Sequence, residues 1–189
     1  MVAALMKIKK SLNRALELAV IVLLGVLALD VIWGVISRFV GRLVALMAEH
    51  GWQVWSFIPR GQSQWTEEVA TNLLVWVSLL GASAAFGTRS HLGVDYFVEK
   101  LDPSARRFIE LIVQIMIGFF AISAMIVGGG ILVWQTLKTG QTIPAMKILK
   151  GYVYLSVPIS GAFILLFAVE RIAEILTGRP LEKSAETID

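Results

Sequence analysis

Two adjacent carboxylates, Glu67 and Glu68, stand at the head of an apolar run in the stretch WTEEVATNLLVW, Trp65 to Trp76. Paired acids can share a proton in catalysis, hold a metal ion or meet a basic partner, and their spacing decides which. Successive residues on a helix are turned by about 100°, so neighbouring carboxylates diverge and do not close on one ion. At a helix start they have another use. With Thr66 as the cap, both would occupy the first turn, where negative charge meets the positive end of the helix dipole. From that place they could also pair with Lys or Arg of another protein without entering hydrocarbon.

Few other residues could carry chemistry. His50 and His91 are predicted in loops, so they do not face each other as axial haem ligands. The absence of cysteine excludes disulfides, thiol catalysis, iron–sulfur clusters and thiolate metal sites. No nucleophile elbow, phosphate-binding P-loop or HExxH motif occurs. The expectation is a protein that is not an enzyme and holds no cofactor or metal. Asp30 is the one acid inside the first apolar block. It reads either as an ion or substrate contact or, with more weight, as a partner in an interhelical hydrogen bond or an ion pair with another chain. Asn72 and Gln114 read as polar packing between helices.

Composition fixes the kind of scaffold that carries these side chains. The 189-residue chain is 57% hydrophobic and 16% charged, with a mean hydropathy of +0.75, too apolar for an ordinary soluble domain. Its apolar residues fall in four blocks, 16–36, 69–86, 108–133 and 152–169, each near the length a helix needs to cross a bilayer. The short alternating pattern of barrel strands is missing. The expected fold is therefore an all-α integral membrane protein of four transmembrane helices, with residues 1–177 as the membrane domain and 178–189 as a cytoplasmic tail. A net charge of +3, with most basic residues near block ends, gives no support for nucleic-acid binding; membrane lipids are the expected surroundings.

Orientation comes from the basic residues outside the blocks. Eleven Lys and Arg precede the first block, separate the second from the third or follow the fourth, against six in the other two connections. The positive-inside bias then puts both termini in the cytoplasm. Trp52, Trp55, Trp65 and Trp134 fall on the outer side, where indole rings suit the interface. The first helix is read as retained, not as a cleaved signal, because its apolar character continues to Val40. It is expected to run from Leu16 to Met47, beyond the bilayer. Gly51–Gln64 reads as an outer interfacial segment or a loop, and Val94–Leu101 as a short inner interfacial helix followed by Asp102 as N-cap and Pro103 in the first turn. Gly128–Gly130 are expected to allow close helix packing, and Pro158 with Gly161 a tolerated kink.

Taken together, Trp65, Glu67, Glu68, Leu74, Trp76, Gly81 and Ala82, followed by His91, Val94 and Asp95, resemble the W-x-E-E…LLVW…GA…H-x-x-VD pattern of one family. It is the small Q-type membrane subunit of TRAP transporters, the tripartite ATP-independent periplasmic carriers. Gln141, Pro144, Ala145, Tyr152, Pro158 and Gly161 add a second match. Two features depart from the family: a longer connection between the first two helices, and Lys150-Gly151-Tyr152 where Pro and Trp are often found. The resemblance implies a bacterial inner-membrane complex. A periplasmic substrate-binding protein delivers an organic acid, such as a dicarboxylate or sialic acid, to a large multi-helix M subunit that carries the sodium and substrate sites, and the Q subunit braces its scaffold. The sequence stops a short tail after the fourth block, so M is expected as a separate chain. On this reading Glu67, Glu68, Arg42, Arg60 and Lys147 are candidate partner contacts at the outer face. The alternatives are a self-sufficient homo-oligomeric transporter or channel, which would move Asp30 to the centre, and a membrane anchor of another complex.

Overall fold

A computed structural model of the chain describes residues 2–50, 64–88 and 103–177. Within them the fold is helical, its one β feature being an isolated bridge between Thr142 and Leu149. Helix α1 is Val2–Glu49 and α2 is Gln64–Gly87. A third rod joins α3 (Pro103–Phe120), a π-helical segment (Ala121–Gly128) and α4 (Gly129–Lys138). The fourth consists of α5 (Gly151–Tyr154) and α6 (Ser156–Leu176). Four stretches are long and apolar enough to cross a membrane: Ser11–Met47, Trp65–Gly87, Ala105–Lys138 and Gly151–Leu176. The expected four-helix membrane fold is thus present, with each span longer than its apolar block. At 1.5 Å per residue the 48 residues of α1 extend about 72 Å, well beyond ~30 Å of hydrocarbon.

Helix α2 begins at Gln64, so Thr66 is its third residue and not the residue ahead of it, as a cap would be. Thr66 is instead buried against α1: a Cβ on Gly34 would lie 3.2 Å from its Oγ1. Pro103 opens α3 as expected, where a missing N–H costs no helical bond. The segments expected at the interfaces, the Asp102 cap and the 178–189 tail lie outside the described residues, apart from Gln64 itself.

The inward face of α1 follows a heptad. Leu16, Leu23, Asp30, Ser37 and Val44 recur every seventh residue, with Val20, Leu27, Gly34 and Gly41 interleaved, and all are buried or half-buried. Spacings of alternately four and three residues keep one seam against a partner helix. That partner is α2, antiparallel to α1, as the Gly34–Thr66 and Gly81–Val20 approaches show. Large side chains fill one end of the seam: Leu16, Leu80, Ala84 and Phe167 form a buried cluster, with Trp76 and Phe163 against it. At the other end Gly34 lets α1 approach Thr66 of α2 closely.

Helix α6 also packs on α2, where Phe167 lies against Leu80 and Ala84 and a Cβ at Gly87 would lie 2.9 Å from its ring. Ser83, Ser156 and Ser160 are fully buried, and each hydroxyl donates to a carbonyl of its own rod at 2.6–3.0 Å, that of Ser156 to Val153 O in α5. They are polar by name and compact by behaviour, since no hydroxyl needs a donor or acceptor across the interface. The third rod then packs on α6. A Cβ at Gly161 would lie 2.6 Å from Met125 Cβ, and one at Gly129 would lie 2.9 Å from Val157 Cγ1. Of the three glycines read as packing residues, Gly129 makes the interhelical approach, whereas Gly130 faces open space. Pro158 is the third residue of α6, and the helix is interrupted at Leu155 just before it. The pyrrolidine ring has no hydrogen for the Tyr154 carbonyl and crowds it.

Candidate functional site

The Gln64 end of the bundle gathers most of the candidate contact residues. Helix α1 carries Arg38 to the start of α2, where its guanidinium pairs with Glu67. Arg42 comes one turn later on α1 and is exposed. Glu68 turns away from its neighbour, as helical rotation requires, and its Oε2 accepts the backbone N–H of Ala145 at 2.9 Å. Arg60 lies outside the described residues.

The segment that Glu68 holds is a compact loop between the third and fourth rods. Gly140 adopts φ 63°, its N–H donates to Leu137 O at 3.2 Å and that of Gln141 to Thr136 O at 3.4 Å. This is the paired closure of a glycine-ended helix, satisfying two of its last carbonyls. The loop then folds back on itself: Ile143 N–H donates to Ile148 O at 2.8 Å and Lys150 N–H to Gln141 O at 2.9 Å. Ile143 is buried beneath it. Lys147 sits at the turn with φ 53°, a left-handed conformation uncommon for a residue with a side chain, and its side chain is exposed. The structure therefore brings Glu67, Glu68 and Lys147 to one end of the bundle and gives the two acids different partners: a cation on α1 and the loop backbone.

Inside the spans, Asp30 lies in the α1 seam and is 9% exposed. Its Oδ2 is buried and meets no hydrogen-bond donor. Gln114 on α3 likewise has a buried Oε1 without a hydrogen bond. Asn72 is half-buried on α2.

The opposite, Gly87 end holds a charge cluster absent from the residues expected to matter. Arg106 Nε donates to Glu110 Oε1 at 3.0 Å. Arg171 reaches across from α6, with Nη2 3.7 Å from Glu110 Oε2 and Nη1 3.4 Å from Glu174 Oε2. The signal was present in two local spacings, Arg106 to Glu110 and Arg171 to Glu174, each putting its charges on one helical face. What joins them is the antiparallel register of α3 and α6.

Four long apolar helices, with the ion pairs of the described residues gathered at their ends, define a small multi-pass membrane protein. The chain belongs to the tripartite ATP-independent periplasmic transporters, DctQ component, whose family model matches residues 31–178. It is 26% identical over 137 residues to the sialic acid TRAP transporter small permease protein SiaQ of Vibrio cholerae, across 71% of this chain and 76% of that one. To the C4-dicarboxylate TRAP transporter small permease protein DctQ of Rhodobacter capsulatus it is 28% identical over 100 residues, 52% and 43% of the two chains. It is also similar to the isethionate TRAP transporter permease protein DctMQ of Oleidesulfovibrio alaskensis, 29% identical over 97 residues, which are 51% of this chain and 15% of that longer one. The chain is accordingly a small permease component of a transporter, a multi-pass protein of the inner membrane and not a member of an enzyme class.

Proposed function

We propose that this chain is the noncatalytic scaffold subunit of a sodium-driven TRAP carrier, bracing a large M subunit that takes an organic acid from a periplasmic binding protein. The chief support is how little of the bundle covers itself. In the first and third spans only 11% of the most apolar stretch is buried within the chain, leaving broad faces for lipid and for another membrane subunit. The relative named as a joined M and Q permease supports such a companion. The relatives' names mention sialic acid, C4-dicarboxylate and isethionate; all are organic anions of different shape, which favours placing substrate selection in other subunits. With both termini cytoplasmic, the Gln64 end faces the periplasm. There Glu67, Glu68, Arg42, Arg60 and Lys147 are contacts for the binding protein or M, and Asn72 and Gln114 serve helix packing.

Extraction of the tagged chain from its native membrane in mild detergent, with identification of every stoichiometric companion, tests this reading. The expected result is one large polytopic permease, and sodium-dependent uptake of an organic acid when the complex is reconstituted with its binding protein. Recovery of a homo-oligomer alone, competent for transport, would overturn the scaffold role.

A further inference from the structure

We infer that Asp30 is an anchor within the membrane for a partner helix, and that the large permease subunit supplies a Lys or Arg side chain to it. The inference rests on the chain working beside such a subunit. Asp30 occupies the α1 seam one turn deeper than the Gly34–Thr66 contact, within the apolar span, and its Oδ2 is enclosed without a hydrogen bond. An unpaired carboxylate in such surroundings is costly, so the site is incomplete within this chain.

Neighbouring groups do not complete it. Helix α2, which the seam faces, contains no Lys, Arg or His. Arg38 lies two turns away and is held by Glu67. The nearby hydroxyls are committed to their own helices: Ser37 donates to Gly34 O at 2.9 Å and Thr71 to Glu67 O at 2.8 Å. A bare metal cation needs several oxygens around it, and no group of three His, Cys, Asp or Glu side chains occurs among the described residues. A second copy of the chain is poorly matched as well. Its described basic residues lie at helix ends, in the 139–150 loop or, for Arg38 and Arg42, from the level of the α2 start outward. The remaining complement is a basic side chain carried into the membrane by another subunit.

Asp30 is itself 9% exposed, and the open surface lies beside it. Val31 and Trp33 flank Asp30 on the two edges of the seam and are 48% and 54% exposed. A helix laid along either edge would bring a long basic side chain to the carboxyl, its aliphatic stem against apolar surface.

The test uses the complex purified from native membrane through a tag on this chain, with Asp30→Leu and Asp30→Asn variants. A photo-crosslinking residue placed at Val31 or Trp33 in the otherwise native chain gives an independent reading. Asp30→Leu is expected to lower the large subunit retained per chain by about tenfold or more, and Asp30→Asn by less, with this chain recovered normally. The probes are expected to capture the large subunit within a helical turn of a Lys or Arg. Undiminished retention by Asp30→Leu, or probes that capture only lipid or a second copy, would overturn the anchor and leave the scaffold role intact, because the complex is still recovered. Should Asp30→Leu fail to accumulate, the probes decide. Absence of any large subunit from the wild-type preparation overturns both readings.

Discussion

Glu68 accepts the Ala145 amide hydrogen at 2.9 Å, while Glu67 meets Arg38 in a pair whose side chains are 59% and 50% exposed. These geometries have unequal energetic weight. An exposed ion pair contributes about 0–1 kcal/mol and weakens with salt, whereas a hydrogen bond closing a loop onto a helix contributes about 1 kcal/mol. Glu68→Ala is therefore expected to speed hydrogen exchange of the Ala145 amide and its loop neighbours severalfold, and Glu67→Gln to leave that exchange unchanged. Equal effects from the two variants would contradict the assignment. The position of both acids near a helix start was legible from WTEEV, because an apolar run after charged residues marks where a span begins. Their partners were not: Arg38 and Ala145 reach them only through the register of α1 on α2 and the folding of the 141–150 loop. The capping role assigned to Thr66 failed for a related reason. Tertiary burial against Gly34 took the side chain that a sequence pattern gives to the cap.

At the scale of the helix, four spans were legible because bilayer thickness demands long apolar runs. The seam was not. Leu16, Leu23 and Val44 stand among equally apolar flanks such as Leu18, Ile21 and Val22, and lipid-facing positions erase the polar contrast from which a soluble heptad is read. The π segment was hidden too, since AISAMIVG carries neither Pro nor an internal Gly. A π segment winds an extra residue into a helix. Deleting Ser123 is expected to return Ala121–Gly128 to α-helical winding while Gly118 and Gly129 keep their neighbours on α6. Deleting Ile112 instead rotates the start of α3 by about 100° relative to the remainder of its rod. Thermal melts in detergent should then show a small loss for the first deletion and a large one for the second. Gly161→Ala offers a sharper comparison. Its Cβ would lie 2.6 Å from Met125 Cβ, an atom fixed to the backbone, and a cost of about 1–3 kcal/mol is expected. Gly130 faces open space, so Gly130→Ala should be neutral or slightly stabilising in the same melts.

For the whole molecule, the orientation proposed from the charge distribution is directly measurable, because the chain lacks cysteine. A single cysteine replacing Lys147 should react with a membrane-impermeant maleimide added to spheroplasts, and one replacing Thr177 should react only after lysis. The reverse pattern would invert the positive-inside assignment. The one-sided cover of α1 has a further consequence, in terms of mass action. A companion that binds the folded chain and not the unfolded chain raises apparent stability by an amount set by its concentration relative to its dissociation constant. On the proposed scaffold role, the melting temperature of this chain is expected to fall on dilution or when the large subunit is scarce, and chain made in excess of that subunit is expected to be degraded sooner.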